Sequence, residues 1–326
     1  MLDLINSKIV YFTIEEWKTL TLKFPDVKIS GTEDRRLYFS WANLRIEYYP
    51  NSEELWIRNS LHKFYNAVVR PIPIGQCNHN DFTVSNLIET IEYICKVLNR
   101  KPEDFELFGR FEFGVNINVS PYRPIEDIVS SYISHGTTSI NRFHGHAKAK
   151  GKITGASAYA YEYRVKFYDK SKQAEIHPKG ILRYEICNHR VGRLKKLLGI
   201  SKVTLKDLMS QDNHRLLARD LIKTYDDIKK LPTEYDDVSP EAMLSLMSYS
   251  QPSMIKFYRR RMSNYKFIQH RSSGRQLMNK FSRSKDNVHS RVRDMIVKKL
   301  DYLISTPSCN KKDGINKETI IKNNKN

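Results

Sequence analysis

The chain has 326 residues, 40% hydrophobic and 28% charged, ordinary for a globular protein with room for one large domain and an appendage or for two moderate ones. Its 55 Lys and Arg against 36 Asp and Glu leave a net charge of +19. No apolar run reaches bilayer length, the first residues lack the basic start of a secretory signal, and Cys77, Cys95, Cys187 and Cys309 form no CxxC pair. These features argue against a membrane protein, a disulfide scaffold and a cysteine zinc site, and for a reducing, cytoplasmic setting.

The first third reads as strands. "KIVYF", "DVKIS", "RRLYFSW", "LRIEYYP" and "ELWIRNS" are short, β-branched and aromatic, and turn-forming residues such as Gly31 and Pro50-Asn51 separate them. Thr83 is placed to cap a helix with apolar residues at Val84, Leu87, Ile88, Ile91, Ile94, Cys95 and Leu98, ended by Pro102. "DFELFGRFEFGVNINVS" reads as one long strand, with Phe111, Phe113, Val115 and Ile117 on one face and Arg110, Glu112, Gly114 and Asn116 on the other. Pro124 opens another helix.

Residues 136–156 read as a basic loop, and "AYAYEYRVKFY" as a single strand with Arg164, Lys166 and Tyr168 on its polar face. In "GILRYEICNHR", Leu182, Tyr184 and Ile186 oppose Arg183, Glu185, Cys187 and His189. Helices follow from residue 191, with Gly199 as a stop and Thr204 and Asn213 as caps. The acidic stretch Pro232 to Pro240 is the expected boundary between a domain over 1–231 and a basic helical module over 240–305; residues 306–326 are expected to be disordered. The fold class expected is α+β, an antiparallel or mixed sheet flanked by helices.

Charge is concentrated in the module: residues 256–299 hold 14 Lys and Arg against 2 Asp and Glu, an excess of 12. Such a field attracts a polyanion, most often nucleic acid, although a solvated helix face or a solubilising tail would also be basic. In "MIKFYRRRMSNYKFIQHR", helical spacing makes Met254, Tyr258, Met262 and Tyr265 a packing stripe, freeing Arg259, Arg260, Arg261, Lys266 and Arg271 for phosphates.

Three strands repeat one pattern of two polar residues flanking an aromatic: Arg110-Phe-Glu112, Lys166-Phe-Tyr168 and Arg183-Tyr-Glu185. If they are neighbours, one sheet face displays Glu112, Tyr168 and Glu185 ringed by Arg110, Lys166, Lys170 and Arg183. Two carboxylates suit a hard divalent ion, and a tyrosine beside them suits attack on phosphorus. Alternation of Arg and Glu equally suits cross-strand ion pairs on a solvated surface.

"SLHKFYN...NHNDF", "GRFEFGVNINV", "KFYDKSKQ" and "LRYEICNHRVGRLKKLLGI" stand in the order of related segments in filamentous-phage replication initiators. This half of the chain, roughly residues 43–200, also resembles rolling-circle plasmid initiators that carry Arg-x-Asp, Tyr-x-Lys and Arg-aromatic-Glu segments. The resemblance implies nicking and rejoining of one origin strand through a phosphotyrosine, with Mg2+ or Mn2+, inside a bacterial host. It further implies DNA and a host helicase as partners and leaves room for a homodimer. Carried over by motif, Tyr168 falls on the nucleophile with Lys170 beside it, and Glu112 and Glu185 on the two acids; the first acid is Glu where Asp is expected. Tyr184 is a rival nucleophile, although its alternation puts it with the core residues. His62 and Lys63 are candidate phosphate contacts, as are Arg110, Lys166 and Arg183. "RFHGHAK" imitates a His-hydrophobic-His metal site at His144 and His146, with Gly145 in the wrong place for it. A non-catalytic origin-binding protein and a mobilisation relaxase are the competing classes.

Overall fold

The computed structural model describes residues 2–32, 35–73, 77–143, 154–175, 179–231, 239–282 and 287–307. His144, His146, most of the expected boundary (232–238) and nearly all of the expected tail (308–326) lie outside them. Among the described residues the fold is α+β, with antiparallel sheets flanked by helices.

The N-terminal part opens with strand β1 (Leu4–Val10) and helix α1 (Ile14–Leu22). It continues through β2 (Ser30–Thr32), β3 (Arg36–Trp41), β4 (Leu44–Tyr49) and β5 (Glu54–Ser60). Next come α2 (Leu61–Phe64), α3 (Val84–Leu98) and β6 (Glu106–Leu107). Six strands form one sheet in the order β2-β3-β4-β5-β1-β6. Alternation buries Leu37, Phe39, Ile46, Tyr48, Leu55 and Ile57 on one face, where Trp17 of α1 stacks on Tyr48 at 5.5 Å between ring centroids. The Thr13 side chain accepts from the Glu16 amide in a capping box, and Thr83 caps α3 through the Asn86 amide.

The expected long strand breaks in two. Gly109, at φ +62°, turns the chain between β6 and β7 (Phe111–Asn118), so Arg110 stands just before the strand of the second sheet instead of continuing the first. After α4 (Ile125–Ser130) come β8 (Tyr132–His135), β9 (Thr138–Ser139) and β10 (Asn141–Phe143). "AYAYEYRVKFY" is likewise two strands, β11 (Gly155–Tyr159) and β12 (Tyr163–Asp169), folded back on each other around residues 160–162. This hairpin separates Tyr159 from the face of Val165 and Phe167. Helix α5 (Lys170–Ala174) and β13 (Ile181–Asn188) complete a five-stranded sheet, β10-β11-β12-β13-β7.

Helices α6 (Gly192–Leu198), α7 (Leu205–Leu208) and α8 (Gln211–Asp226) follow, and β14 (Ile228–Lys230) joins β8 and β9 in a small third sheet. The cap of α8 is Ser210, whose hydroxyl accepts from the Asn213 amide; Asn213 itself lies in the first turn, with its side chain donating to the Asp207 carbonyl. On the apolar face of the second sheet Phe167 and Tyr184 stack at 4.5 Å, and the Tyr184 hydroxyl donates to the Leu221 carbonyl of α8.

The basic segment divides by packing. Helices α9 (Pro240–Ser250), α10 (Pro252–Arg261) and α11 (Asn264–Ser282) pack on one another, with Gly274 of α11 tight against the Tyr249 ring. The chain straightens at Met262, so residues 254–265 do not make one continuous stripe and Tyr265 is 71% exposed. Helix α12 (Val288–Ser305) instead packs on β7 and α8 and buries Val292, Ile296, Leu300 and Leu303 in the main core. Its His289 Nε2 lies 3.0 Å from the Leu231 carbonyl and 3.1 Å from Ser131 Oγ.

Burial and the neighbouring Lys230 push His289 down to about 3, against the opposing effect of the Leu231 carbonyl. A folded pKa below the unfolded value, near 6.5, gives stability that is present above pH 6.5 and lost as pH falls through 6.5 towards 3. At pH 5 the loss from this one group is about 2 kcal/mol. Urea unfolding of His289→Gln is expected to show a smaller stability difference between pH 7 and pH 5 than the wild type, by about that amount; equal differences would mean that His289 is not held neutral in the core.

Candidate functional site

Strand register builds a polar cluster on the second sheet. Lys166 of β12 stands directly opposite Glu185 of β13, and Tyr168 opposite Arg183. On the other side of β13, Glu185 faces Gly114, Cys187 faces Glu112 and Arg183 faces Asn116. A Cβ at position 114 would run into the Tyr184 carbonyl and lie 2.5 Å from Glu185 Cβ, so glycine is what lets β7 approach beneath the Glu185 side chain.

The charges are interlocked. Lys166 Nζ donates to Glu185 Oε1 at 2.7 Å and to Glu112 Oε1 at 3.2 Å. Glu112 also accepts from Arg110 and, at 2.9 Å, from the Cys187 thiol. Arg183 spreads its guanidinium over three partners: Glu185 Oε2 at 2.6 Å, Asp3 Oδ2 at 2.9 Å and Asn116 Oδ1 at 3.2 Å. Asp3 further accepts from Ser60 and, at 2.6 Å, from Asn78. The Tyr168 hydroxyl lies 3.4 Å from Glu185 Oε2, and Lys170 Nζ stands 5.9 Å from the Tyr168 ring centre.

Burial opposes every charge here, and the partners decide the outcome. For Glu112 burial works upward, but Lys166, the Cys187 bond and Arg110 hold the carboxyl below its ordinary value. Burial lowers Lys166 and Arg183, yet Glu185 and Glu112 raise the first, while Tyr168, Glu185 and Asp3 raise the second. Tyr168 goes the other way: burial, then Glu185, push its phenol well above the usual value, so it is protonated at neutral pH. Lys170 is lowered to about 8 by burial and by Arg183, with Lys63 adding to the effect.

The structure therefore brings together Glu112, Glu185, Tyr168, Lys170, Arg110, Lys166 and Arg183. Two expected placements change. Arg183 is 3% exposed and clamped between carboxylates, so it holds Glu185 and is not the accessible cation expected of a phosphate contact. His62 is 3% exposed, stacked on Phe82 at 4.7 Å, with Nε2 2.7 Å from Asn80 Oδ1, so it is not the accessible side chain expected of a phosphate contact. Tyr184 is buried on the opposite, apolar face, among the core residues where its alternation places it. Lys63 is half-buried within α2. Arg259, Arg260, Arg261 and Lys266 are exposed on α10 and α11, and Arg271 lies over the Tyr249 ring at 4.8 Å.

Sequence reasoning missed Asp3, Asn78 and Asn116. Asp3 reaches the site because its amide donates to the Glu112 carbonyl at 2.9 Å, in line with a bridge between Leu2 and Phe113. No local pattern announces such a contact.

The donor set does not fit Mg2+ or Mn2+ bridging Glu112 and Glu185. Lys166 already occupies the bridging place, the same Glu112 oxygen takes three donors, and both Glu185 oxygens are engaged. Among the described residues no group of three His, Cys, Asp or Glu is arranged to hold a metal ion. An ion there would have to displace an ammonium held by two carboxylates.

No family model and no curated protein matches the chain. Among solved structures the chain is similar to the rolling circle replication initiator protein from Geobacillus stearothermophilus. The identity is 12% and the TM-score 0.42, over 77% of this chain and 96% of that one.

Gly114→Ala is expected to force β7 away from β13 and to cost about 1–3 kcal/mol of stability. Thermal melts check the cost. A variant as stable as the wild type would show that the strands can part there without penalty.

Proposed function

We propose that this chain is a replication initiator of a phage or plasmid that nicks and rejoins one DNA strand through Tyr168. The observation that supports the reading is the convergence, at the C-terminal end of β12, of a phenol with Glu185, Arg183 and a lysine whose pKa is displaced to about 8. A phenol kept protonated is a poor nucleophile until a base removes its proton. Lys170 is suited to act as that base, because about a tenth of it is neutral at pH 7 and it lies on the helix that starts where the tyrosine's strand ends.

In the proposed reaction Lys170 takes the phenolic proton as the Tyr168 oxygen attacks phosphorus. The P–O3′ bond breaks, the departing oxygen gains a proton to become a free 3′-hydroxyl, and the 5′-phosphate stays on the tyrosine. Religation is the reverse. Glu185, held by Arg183 and Lys166, fixes the phenol through its second oxygen. Arg110, whose side chain is 47% exposed, is the cation of the cluster best placed to meet the phosphate and offset charge in the transition state. Affinity for the duplex comes in this reading from Arg259, Arg260, Arg261 and Lys266, each phosphate contact steepening the fall of log affinity with log salt by roughly 0.9.

Two outcomes test this with origin DNA from the parent element. Tyr168→Phe is expected to abolish the covalent protein–DNA adduct while changing DNA affinity by no more than about twofold, because the ring and its packing remain. A persisting adduct would remove Tyr168 from the chemistry, and no adduct from the wild type would leave a non-catalytic origin-binding protein.

The adduct rate is also expected to rise with pH up to about 8 and then level, since deprotonation of Lys170 creates the base. Lys170→Met should flatten that profile. A profile already flat between pH 6 and 9 in the wild type would assign the base to another group.

A further inference from the structure

The outer face of the first sheet is built unlike an ordinary solvated surface. Glu47, with only 3% of its side chain exposed, sits at the centre of β4 and takes three arginines. Arg45 Nε lies 2.8 Å and Arg36 3.4 Å from one carboxylate oxygen, and Arg58 Nε 2.9 Å from the other. Arg45 and Arg58 stand directly opposite each other on neighbouring strands, a like-charge pairing that costs stability unless something bridges it. One carboxylate cancels one of the three charges and two remain. Lys8 and Glu54 beside them satisfy each other at 2.6 Å.

Each guanidinium also lies over an aromatic ring. Arg45 and Arg36 lie 4.4 and 5.0 Å from the Tyr38 ring centre, and Arg58 lies 4.6 Å from Trp56 and 5.6 Å from Phe108. Tyr49 and Phe108 continue the layer, packing on Trp56 at 4.4 and 4.5 Å. The arginine side chains remain 33–41% exposed. Two residues after Phe108 comes Arg110, which pairs with Glu112 in the cluster beside Tyr168, so this face continues by chain into that site.

We infer that the outer face of β3–β4–β5 is a binding platform for single-stranded DNA, separate from the Tyr168 site and from the arginines of α10 and α11. Guanidiniums fixed over rings present donors for phosphates and planes for bases at once, with little side-chain freedom left to lose on binding. A flat sheet face suits unpaired bases, which stack on aromatic and guanidinium planes that a closed duplex cannot reach. Glu47 is then a positioning residue that spaces the three arginines. That the strand is DNA rests on the proposed function; the chemistry of the face, phosphate plus unpaired base, does not.

The full-length protein and a short oligothymidylate, which carries no origin sequence, provide the test. Trp17 and Trp41 are buried at 3% and 8% exposure, whereas Trp56 is half-buried on this face, so bound bases should quench mainly Trp56. Quenching on titration is expected, with Trp56→Leu losing the quench and binding on the order of tenfold more weakly at an unchanged salt slope. Arg45→Gln with Arg58→Gln should lower that slope by roughly 1.4, at about 0.7 for each contact to a single strand. Because those arginines also bridge Glu47, photocross-linking of the wild type to a bromodeoxyuridine strand provides an independent reading: peptides from residues 36–58 should carry the adducts. Full affinity in both variants, or cross-links confined to residues 252–282, would overturn the inference. Failure to form an origin adduct with the quench intact would instead count against the Tyr168 chemistry alone.

Discussion

Arg183 is almost wholly out of water, and its charge is tolerable there only because Asp3 and Glu185 flank it at 2.9 and 2.6 Å. Asp3 leads into the first strand of one sheet and Glu185 lies in the middle of the other, so this guanidinium joins two layers that share no continuous ladder. Removing Arg183 leaves Asp3 buried without its cation, and removing either carboxylate leaves the buried guanidinium half paired, which is more costly than never having placed the group. The arrangement is a weak means of adding stability and a strong means of fixing position. It determines where the second Glu185 oxygen points, and hence where the Tyr168 hydroxyl rests.

From that clamp the rest of the cluster follows. Glu185 has its other oxygen free to hold Lys166, and Lys166 reaches on to Glu112, which gathers Arg110 and the Cys187 thiol. Cation and carboxylate alternate along the chain of contacts, so each buried charge has an opposite neighbour. Lys170 is the exception. It is buried beside Arg183 and donates to the neutral Gln173 amide oxygen at 2.8 Å, and its pKa falls accordingly. A lysine displaced towards neutrality next to a phenol displaced the other way is the pairing of environments expected of an acid–base couple.

Much of this is legible in the sequence, and the reason is the period of a strand. Alternation places Glu112, Lys166, Tyr168, Arg183 and Glu185 on polar faces, and the repeated polar-aromatic-polar triplets mark the three strands that carry them. Pattern cannot distinguish a solvated ion pair from a buried clamp, because burial depends on what covers the face. Asp3, Ser60 and Asn78 supply that cover from parts of the chain at least 100 residues from Arg183. His62 departs from its expected role for the same cause: a histidine after a strand looks available until Phe82 stacks over it. The two broken strands have readable signals in Gly109 and in the Ala160–Glu162 stretch, but unbroken alternation across each break conceals them.

The basic segment shows why charge and fold have to be partitioned separately. By composition residues 256–299 look like one module, yet α12 places its apolar residues in the core under β7 while its arginines face outward, Arg293 holding Asp226 at 2.8 Å. A cut after Leu231 would therefore strip a core helix along with the positive charge. Loss of function in such a truncation would say nothing about phosphate contacts. Among the described residues the arginines differ in setting: Arg183 is locked between buried carboxylates, Arg36, Arg45 and Arg58 share Glu47 and lie over aromatic rings, and Arg259, Arg260 and Arg261 are exposed on α10. Arg183 has its donors taken up, whereas Arg110, the arginines that share Glu47 and those of α10 keep exposed guanidinium surface, and they lie on different elements. A net charge of +19 thus overstates the local charge at the Tyr168 cluster, where Asp3, Glu112 and Glu185 oppose Arg110, Lys166, Lys170 and Arg183 almost one for one.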